Sequence, residues 1–312
     1  MSSPTRRLAL IGHRGARGLS PENTLASFET AFAIGVDAIE FDVVMTRDDE
    51  AVVVHNAKLE SFLTRDAHGD WLQAPLPIVR ELSWGELQSY DVGRLQPGSA
   101  YAGQFAQQQA CDGARVPHLR DVIHAFKQPG RSHIDLCVEL KITPTEAEQY
   151  APPEAFVRAV VDVLRAEDVC TRTQIKSFDW RVLQIVQSLA PELPTAYLSS
   201  GHYGLKLQDL PPELLQWTAG FDPRAYGGSS PQTIRAAGGQ IWSSDHRDIT
   251  AEAVAEAHAL GLRVWAWTAN APEDMRRVID AGVDGVITDY PNRLRDVAQD
   301  LGFPLPVPTP NA

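Results

Sequence analysis

Four residues in the first part of the chain have side chains that can do acid–base or metal chemistry. His13 and His55 each directly follow a short apolar run, and Glu40 and Asp42 alternate with apolar residues in a third run between them. Successive side chains on a strand point to opposite faces, so the two acids share a face and lie about 7 Å apart. Carboxylates that close repel each other unless a cation lies near them, and a divalent metal ion is the usual solution. The pattern therefore predicts a metal site beside two histidines.

The apolar runs around these residues have the character of strands joined by a helix. Residues 8–12 form a short apolar run bounded by glycines, which predicts a buried strand, and residues 38–44 predict a second one. Asn23 or Thr24 can cap a helix between them that ends at Gly35. Because sites in parallel sheets gather at the carboxyl ends of strands, we expect the four side chains at one edge of such a sheet.

Later strands add further charged residues. The alternation of strand and helix resumes near residue 119 and continues almost to the end of the chain. The strand predicted at 134–140 puts Glu139 and Lys141 on one face by the same period of two. Candidate functional residues thus stand at widely separated strand ends. This favours a closed barrel over an open sheet, in which they would gather near one switch point.

The number of strands also fits a barrel. Nine strand candidates remain after a hairpin strand at 51–55 is set aside. Eight parallel strands close a (β/α)8 barrel, so we expect either 217–221 or 240–243 to be surplus. The predicted fold class is α/β, a (β/α)8 TIM barrel whose units are joined by right-handed crossovers.

One long segment interrupts the alternation after the second strand. Residues 57–116 are rich in Gln, Pro, Gly and aromatic side chains and lack a clear period. An interruption of this length with so much aromatic surface is more typical of a lid or binding insertion than of a disordered loop. We therefore predict that residues 1–312 form a single TIM-barrel domain with a capping insertion at about 57–116.

Charge and cysteine content exclude several classes of protein. Lys and Arg number 28 and Asp and Glu 40, a net charge of −12, which disfavours binding to nucleic acid or anionic membranes. The three cysteines contain no CxxC pair, which argues against a disulfide framework or structural zinc. No apolar run approaches the roughly 18 residues of a membrane span. The short apolar run near the N-terminus is the first predicted strand, so we expect a cytoplasmic protein without stable membrane insertion.

Several short motifs occur in a specific order along nearly the whole chain. They are His13-Arg14-Gly15, Pro21-Glu22-Asn23-Thr24, Glu40-Phe41-Asp42, His55, Pro117-His118-Leu119, Val138-Glu139-Leu140-Lys141, Ser177-Phe178-Asp179, Trp267-Thr268-Ala269-Asn270 and Asp284-Gly285-Val286-Ile287-Thr288-Asp289-Tyr290-Pro291. In this order and spacing they resemble the glycerophosphodiester phosphodiesterase family, in its cytoplasmic bacterial type. One position departs from the family pattern: Asn56 stands where an Asp usually follows the histidine. An amide keeps the acceptor oxygen but lacks the charge.

The resemblance implies a phosphoric diester hydrolase of lipid and glycerol metabolism that releases an alcohol and sn-glycerol 3-phosphate from a small glycerophosphodiester. Glu40, Asp42 and Glu139 can supply three oxygen ligands to one divalent cation, and carboxylates alone favour Mg²⁺ or Ca²⁺ over zinc. His13 and His55 would act as acid and base. The substrate-binding residues expected beside them are Arg14 and Lys141 for the phosphate and Trp267 for the glycerol.

Two other functions are compatible with parts of the pattern. A metal-dependent barrel lyase or aldolase also uses a Glu and an Asp, but it needs neither the two histidines nor Arg14. A catalytically weak phosphate-binding homologue is suggested only by Asn56. The sequence leaves open the head group of the substrate, Mg²⁺ against Ca²⁺, monomer against homodimer, and which histidine is the acid.

Overall fold

The computed structural model describes residues 7–309, in which strands and helices alternate along most of the chain. The strands are β1 (Ala9–His13), β2 (Ala38–Met45), β3 (Ala51–Val53), β4 (Asp135–Leu140), β5 (Thr173–Ser177), β6 (Thr195–Ser199), β7 (Ile241–Asp245), β8 (Arg263–Trp267) and β9 (Gly285–Thr288). The helices are α1 (Leu25–Ile34), α2 (Trp84–Leu87), α3 (Ala100–Gln104), α4 (Leu119–Phe126), α5 (Pro153–Ala166), α6 (Trp180–Leu189), α7 (Ser230–Ala236), α8 (Ala251–Ala259), α9 (Pro272–Ala281) and α10 (Pro291–Asp300). None of these helices is long and apolar enough to cross a membrane.

Eight of the described strands form a closed parallel barrel. Their order is β1-β9-β8-β7-β6-β5-β4-β2, and a pairing between β1 and β2 closes the ring. β3 lies outside this ring and pairs antiparallel with β2 alone. The predicted TIM barrel, with its insertion after the second barrel strand, is confirmed.

The surplus strand candidate is 217–221, since the other candidate became β7. Residues 217–221 form turns rather than a strand. Ala219 has φ 53° and Gly220 has φ 84°, so two consecutive residues lie in the left-handed region and the chain cannot stay extended. The short apolar run gave no indication of this reversal.

The barrel interior is divided into an apolar part and a charged part. Alternate residues of the strands point inward, and one cluster of them fills the interior: Ile11, Ala38, Cys137, Ala196, Leu198, Ile241, Trp265, Trp267 and Ile287. Nearer the carboxyl ends, His13 lies opposite Glu40, and Glu139 lies opposite both Asp42 and Lys176 in the strand register. Strand pairing therefore brings five charged or titratable side chains to one end of the barrel.

The segment 57–116 connects the β2–β3 hairpin to α4. Its helix α2 begins with a capping box, in which Ser83 and Glu86 exchange hydrogen bonds between side chain and backbone. The segment has its own small apolar cluster with the hairpin, formed by Val44, Val52, Leu59, Val79, Leu87 and Val116. From α3, the Tyr101 hydroxyl donates a hydrogen bond to Glu22 at the carboxyl end of the barrel.

We expect Thr24→Ala to lower the free energy of unfolding by about 1 kcal/mol, because Thr24 caps α1. Its hydroxyl accepts a hydrogen bond from the Ser27 amide (3.1 Å) and donates one to the Pro21 carbonyl (2.6 Å). The control is Thr30→Ala, whose hydroxyl only bonds the Ala26 carbonyl within the helix. This control should change stability by less than about 0.5 kcal/mol. Urea unfolding measures both, and equal losses would contradict the capping role.

Candidate active site

Three carboxylates from β2 and β4 converge at the carboxyl end of the barrel. One oxygen of each of Glu40, Asp42 and Glu139 lies within 4.8 Å of the others. All three residues are buried. Asp42 and Glu139 are register partners on neighbouring strands, and Glu40 lies two residues before Asp42 on the same face.

Two lysines lie against these acids. Lys176 Nζ donates to Glu40 Oε1 at 3.0 Å and is 3.3 Å from Glu139 Oε2. Lys141 Nζ donates to Glu139 Oε1 at 2.7 Å and is 3.8 Å from Asp42 Oδ1. Lys176 is as deeply buried as the acids, at 2% exposure, so its charge is compensated only within this cluster.

The positive charges lower the pKa of two of the acids. Burial raises the pKa of Asp42, but Arg14 and Lys141 outweigh it and hold that pKa below its ordinary value. Burial likewise raises the pKa of Glu139, and Lys141 and Lys176 outweigh it, so that this pKa is also lowered. The pKa of Lys176 is raised, because the carboxylates more than offset its burial. The cluster therefore contains carboxylates and ammonium groups at neutral pH.

The donor set of this cluster fits a hard divalent cation. It consists of carboxylate oxygens alone, without the imidazole or thiolate ligands that zinc prefers. Outer hydrogen bonds orient two of the carboxylates. The Arg14 amide donates to Glu40 Oε2 (3.2 Å), and Asn23 Nδ2 donates to Asp42 Oδ2 (2.9 Å). Such outer contacts are typical of metal ligands, whose position they fix.

His13 is anchored by a carboxylate from the last strand's end. Its Nδ1 lies 2.6 Å from Asp289 Oδ1, and its Nε2 lies 3.7 Å from Glu40 Oε2. Burial raises the pKa of Asp289, but Arg17 and His13 outweigh it and the pKa is lowered. Arg17 also holds Asp289 with two hydrogen bonds of 2.7 and 2.9 Å. The ionised Asp289 accepts a hydrogen bond from Nδ1–H of His13. Nε2 is therefore the ring atom that faces the metal-site acids.

His55 lies on the other side of Lys141. Its Nε2 is 3.1 Å from Lys141 Nζ, and its Nδ1 contacts the side-chain oxygen of Asn56. Burial, Arg14 and Lys141 all lower the pKa of His55 well below its ordinary value. This imidazole is therefore uncharged at neutral pH.

Both histidines border one cavity of about 570 Å³. Its charged end includes Arg14, Lys141 and Lys176. The remaining lining is largely apolar: Leu140, Ile142, Tyr150, Phe178, Leu198, Leu205, Leu214, Trp217 and Trp267. A charged group can therefore bind at one end while a hydrocarbon portion lies against the other.

Trp267 stands in the wall of this cavity. Its indole Nε1 donates to the Ser243 carbonyl at 3.0 Å, which fixes the ring. Tyr203 stacks on it with an interplanar angle of 8°, and Phe178 meets it edge to face at 5.5 Å between centroids. The three rings form a continuous aromatic surface beside Lys141.

Arg14 has a buried donor without a hydrogen-bond partner in the structure. Its Nη1 donates to Glu22 Oε1 at 2.6 Å, and its backbone is left-handed, with φ 50°. The buried Nε is 3.2 Å from Asp42 Oδ2, but its N–H is not directed at that oxygen and makes no hydrogen bond. A buried unpaired N–H of a guanidinium is costly unless an anion accepts it.

The sequence analysis assigned no role to several residues that hold the predicted site residues in place. Asp289 and Lys176 follow the same rule as the predicted residues, since one directly follows a strand and the other faces inward near a strand end. A search of every strand end for charged residues would have found both. Arg17 and Glu22 lie in the loop after β1, where no periodicity indicates their direction.

We expect Lys176→Met to lower the free energy of unfolding at neutral pH by about 3–5 kcal/mol, because it leaves buried Glu40 and Glu139 partly uncompensated. The lowered pKa of Glu139 contributes stability above the ordinary carboxyl range, and that contribution is lost as pH falls. The difference from wild type should therefore shrink towards pH 4.

Denaturant unfolding in the presence of a chelator measures this difference. The control is Lys127→Met, whose exposed ammonium pairs with Glu167 at 3.0 Å and contributes about 0–1 kcal/mol. An equal loss in both variants would show that the buried cluster is not balanced by Lys176.

Comparisons with known proteins identify the family of the chain. A profile of the "Glycerophosphoryl diester phosphodiesterase family" matches residues 13–293. A glycerophosphodiester phosphodiesterase of Caldanaerobacter subterraneus is 27% identical over 293 residues, which cover 94% of this chain and 98% of that one. A second, from Bacillus subtilis, is 28% identical over 295 residues, which cover 93% and 86% of the two chains.

Solved structures share the fold. A crystal structure from Silicibacter pomeroyi, to which glycerophosphoryl diester phosphodiesterase activity is provisionally ascribed, is 39% identical with a TM-score of 0.85, and 96% of each chain is covered. A phosphodiesterase of Oleispira antarctica, solved with the product sn-glycerol-3-phosphate, is 23% identical with a TM-score of 0.67, covering 93% and 96%. The chain thus belongs to the glycerophosphoryl diester phosphodiesterase family, whose members hydrolyse glycerophosphodiesters, and it is a phosphoric diester hydrolase.

Proposed function

We propose that this enzyme cleaves small glycerophosphodiesters to an alcohol and sn-glycerol 3-phosphate, with one divalent cation and two histidines. The observation that carries the proposal is the convergence of three carboxylates beside one cavity that two imidazoles line. The family match argues against the barrel lyase or aldolase considered above. The sn-glycerol-3-phosphate bound to the Oleispira antarctica protein is consistent with the same product here.

Glu40, Asp42 and Glu139 would hold the cation, and their oxygen-only chemistry favours Mg²⁺ or Ca²⁺. A bound divalent ion would supply charge neutralisation for the phosphate and for the oxygens that become more negative during cleavage. The orientation of these carboxylates by Arg14 and Asn23 supports the assignment.

The phosphate would be bound by Arg14 and Lys141. The side chains of Arg14 and Lys141 both line the cavity at its charged end. A guanidinium and an ammonium each donate charge-assisted hydrogen bonds to phosphate oxygens. The glycerol carbons would pack on the aromatic surface of Trp267.

His55 would be the general base and His13 the general acid. The lowered pKa of His55 leaves its Nε2 lone pair available at neutral pH. Nε2 would take the proton of the attacking hydroxyl, from water or from the substrate's own glycerol, as the new O–P bond forms. The bond from phosphorus to the leaving alcohol breaks, and Nε2 of His13 would give that oxygen its proton. If the glycerol hydroxyl attacks, the product of this step is a cyclic phosphodiester, which a water molecule would then open to sn-glycerol 3-phosphate.

The segment 57–116 would cap this site as part of one domain with the barrel. Two contacts support this arrangement: Tyr101 donates to Glu22, and Gln108 Nε2 donates to the Arg17 carbonyl at 2.7 Å. A second cavity of about 310 Å³ lies between the segment and the barrel and shares Arg14 and His55 with the first. We also propose a cytoplasmic location, which the three free cysteines support.

A second candidate substrate is a lysophospholipid, in which one glycerol hydroxyl carries an acyl chain. The apolar part of the larger cavity favours it, because glycerol alone offers little surface to Leu205, Leu214 and Trp217. A human lysophospholipase D is 25% identical to this chain and covers 92% of it.

A substrate panel with and without cation tests the proposal. We expect glycerophosphocholine, -ethanolamine, -glycerol or -inositol to release glycerol 3-phosphate with added Mg²⁺ or Ca²⁺ and to release none after exhaustive chelation, because the carboxylates need the ion to bind the phosphate. Full activity in chelator would eliminate the cation. Choline release from palmitoyl-lysophosphatidylcholine, faster than from glycerophosphocholine, would favour the second substrate.

We expect His13→Ala and His55→Ala each to lower kcat by about 10²- to 10⁴-fold, because each removes one proton-transfer group. Both should still bind the cation, as measured by isothermal titration calorimetry. In wild type, the acidic limb of kcat/KM should lie below the ordinary histidine range near pH 6.5, because His55 must lose its proton to act and its pKa is lowered. Unchanged turnover in either variant would exclude its assignment.

A further inference from the structure

The contact that holds His55 involves two residues, Asn56 and Glu60. Asn56 directly follows the histidine in the chain. Its side-chain oxygen contacts His55 Nδ1, and its Nδ2 donates to Glu60 Oε1 at 2.6 Å. His55, Asn56 and Glu60 therefore form one chain of hydrogen bonds.

The direction of every hydrogen bond in this chain follows from its last member. An ionised carboxylate only accepts, so the amide nitrogen of Asn56 must face Glu60 and the amide oxygen must face His55. An amide oxygen also only accepts, so Nδ1 of His55 must carry the proton. A neutral imidazole has one N–H, which leaves Nε2 with its lone pair. Lys141 Nζ, a donor 3.1 Å away, agrees with an accepting Nε2.

Without Glu60 the amide would lose this constraint, and Lys141, which donates to Nε2, would be the remaining described contact that opposes the other tautomer. A half-turn of the Asn56 amide would present its nitrogen to Nδ1, and the imidazole would then be held with its proton on Nε2. That tautomer cannot accept a proton at the atom that faces the cavity. An Asp at position 56 would exclude this alternative by itself, because both oxygens of a carboxylate accept.

We propose that Glu60 is a positioning residue that fixes the tautomer of the base through Asn56. This inference rests on the proposed function, in which His55 accepts a proton at Nε2. Two tasks are divided between these residues. Asn56 makes the contact with His55, and Glu60 supplies the negative charge that orients the Asn56 amide. Glu60 belongs to the segment 57–116 and lines the cavity between that segment and the barrel, so the insertion contributes to the catalytic apparatus.

The first test is Glu60→Ala, with Glu81→Ala as the matched control. Glu81 is an exposed glutamate of the same segment, and its side chain should not affect the site. We expect Glu60→Ala to lower kcat by roughly 10- to 100-fold, the usual effect of losing a residue that orients a functional group, with a smaller change in KM. The unfolding midpoint of each variant separates this effect from a loss of folding.

The second test exchanges the two side chains in turn. In wild type the side chains of Asn56 and Glu60 are 2.6 Å apart. Asn56→Asp alone places a second carboxylate at this distance from Glu60, and two carboxylates so close cannot both stay ionised. Asn56→Asp combined with Glu60→Gln restores a donor that faces an acceptor, because the Gln amide can donate to the new Asp. We expect the double variant to be at least about 10-fold more active than Asn56→Asp, a coupling that independent sites do not give.

The decisive readout is the ring ¹⁵N spectrum of His55, which distinguishes the two tautomers without any turnover. Wild type should have the proton on Nδ1, and Glu60→Ala should give a mixture or the other tautomer. A wild-type proton on Nε2, or an unchanged tautomer and kcat in Glu60→Ala, would overturn the inference. Turnover that persists in His55→Ala would instead refute the proposed function and leave the tautomer result standing.

Discussion

The structure depends on a balance of buried charge at the carboxyl end of the barrel. Three acids on two neighbouring strands are tolerated there because Lys141, Lys176 and Arg14 lie against them. Burial opposes ionisation of Asp42 and Glu139, yet the pKa of each is lowered, so the cations outweigh desolvation. The proposed site, which would attract both a cation and an anionic phosphate, is built from groups of both signs.

Rigid strands and irregular loops contribute differently to this site. The strands supply the acids and Lys176, whose spacing is set by register and by the alternation of side chains. The loop after β1 supplies Arg14, Arg17 and Glu22. Arg17 donates a hydrogen bond to Asp289, and Arg14 donates one to Glu22. The segment 57–116 adds Glu60 and Tyr101. The residues whose mutual spacing must be fixed therefore lie on the strands, and the residues that support or surround them lie on loops.

The alternation of acids and apolar residues was enough to predict that Glu40 and Asp42 share a face, and strand-end positions were enough to predict the barrel. The sequence could not tell which strands are neighbours, so Lys176 was missed although it lies beside two predicted acids. The strand candidate at 217–221 was wrong because Ala219 and Gly220 turn the chain. The contact between Asn56 and Glu60 was not predicted, because the direction of the Glu60 side chain depends on tertiary packing.

The contact between His13 and Asp289 joins the first strand of the barrel to the end of the last one, across 276 residues of sequence. During synthesis, β1 leaves the ribosome long before β9, so the nascent chain carries an unsupported imidazole until translation is nearly complete. The anchor of this histidine forms only when the ring closes at the β1–β9 seam. Under the proposed role of His13 as the acid, proton transfer is thereby reserved for the finished barrel, and a truncated or half-assembled product would lack this acid.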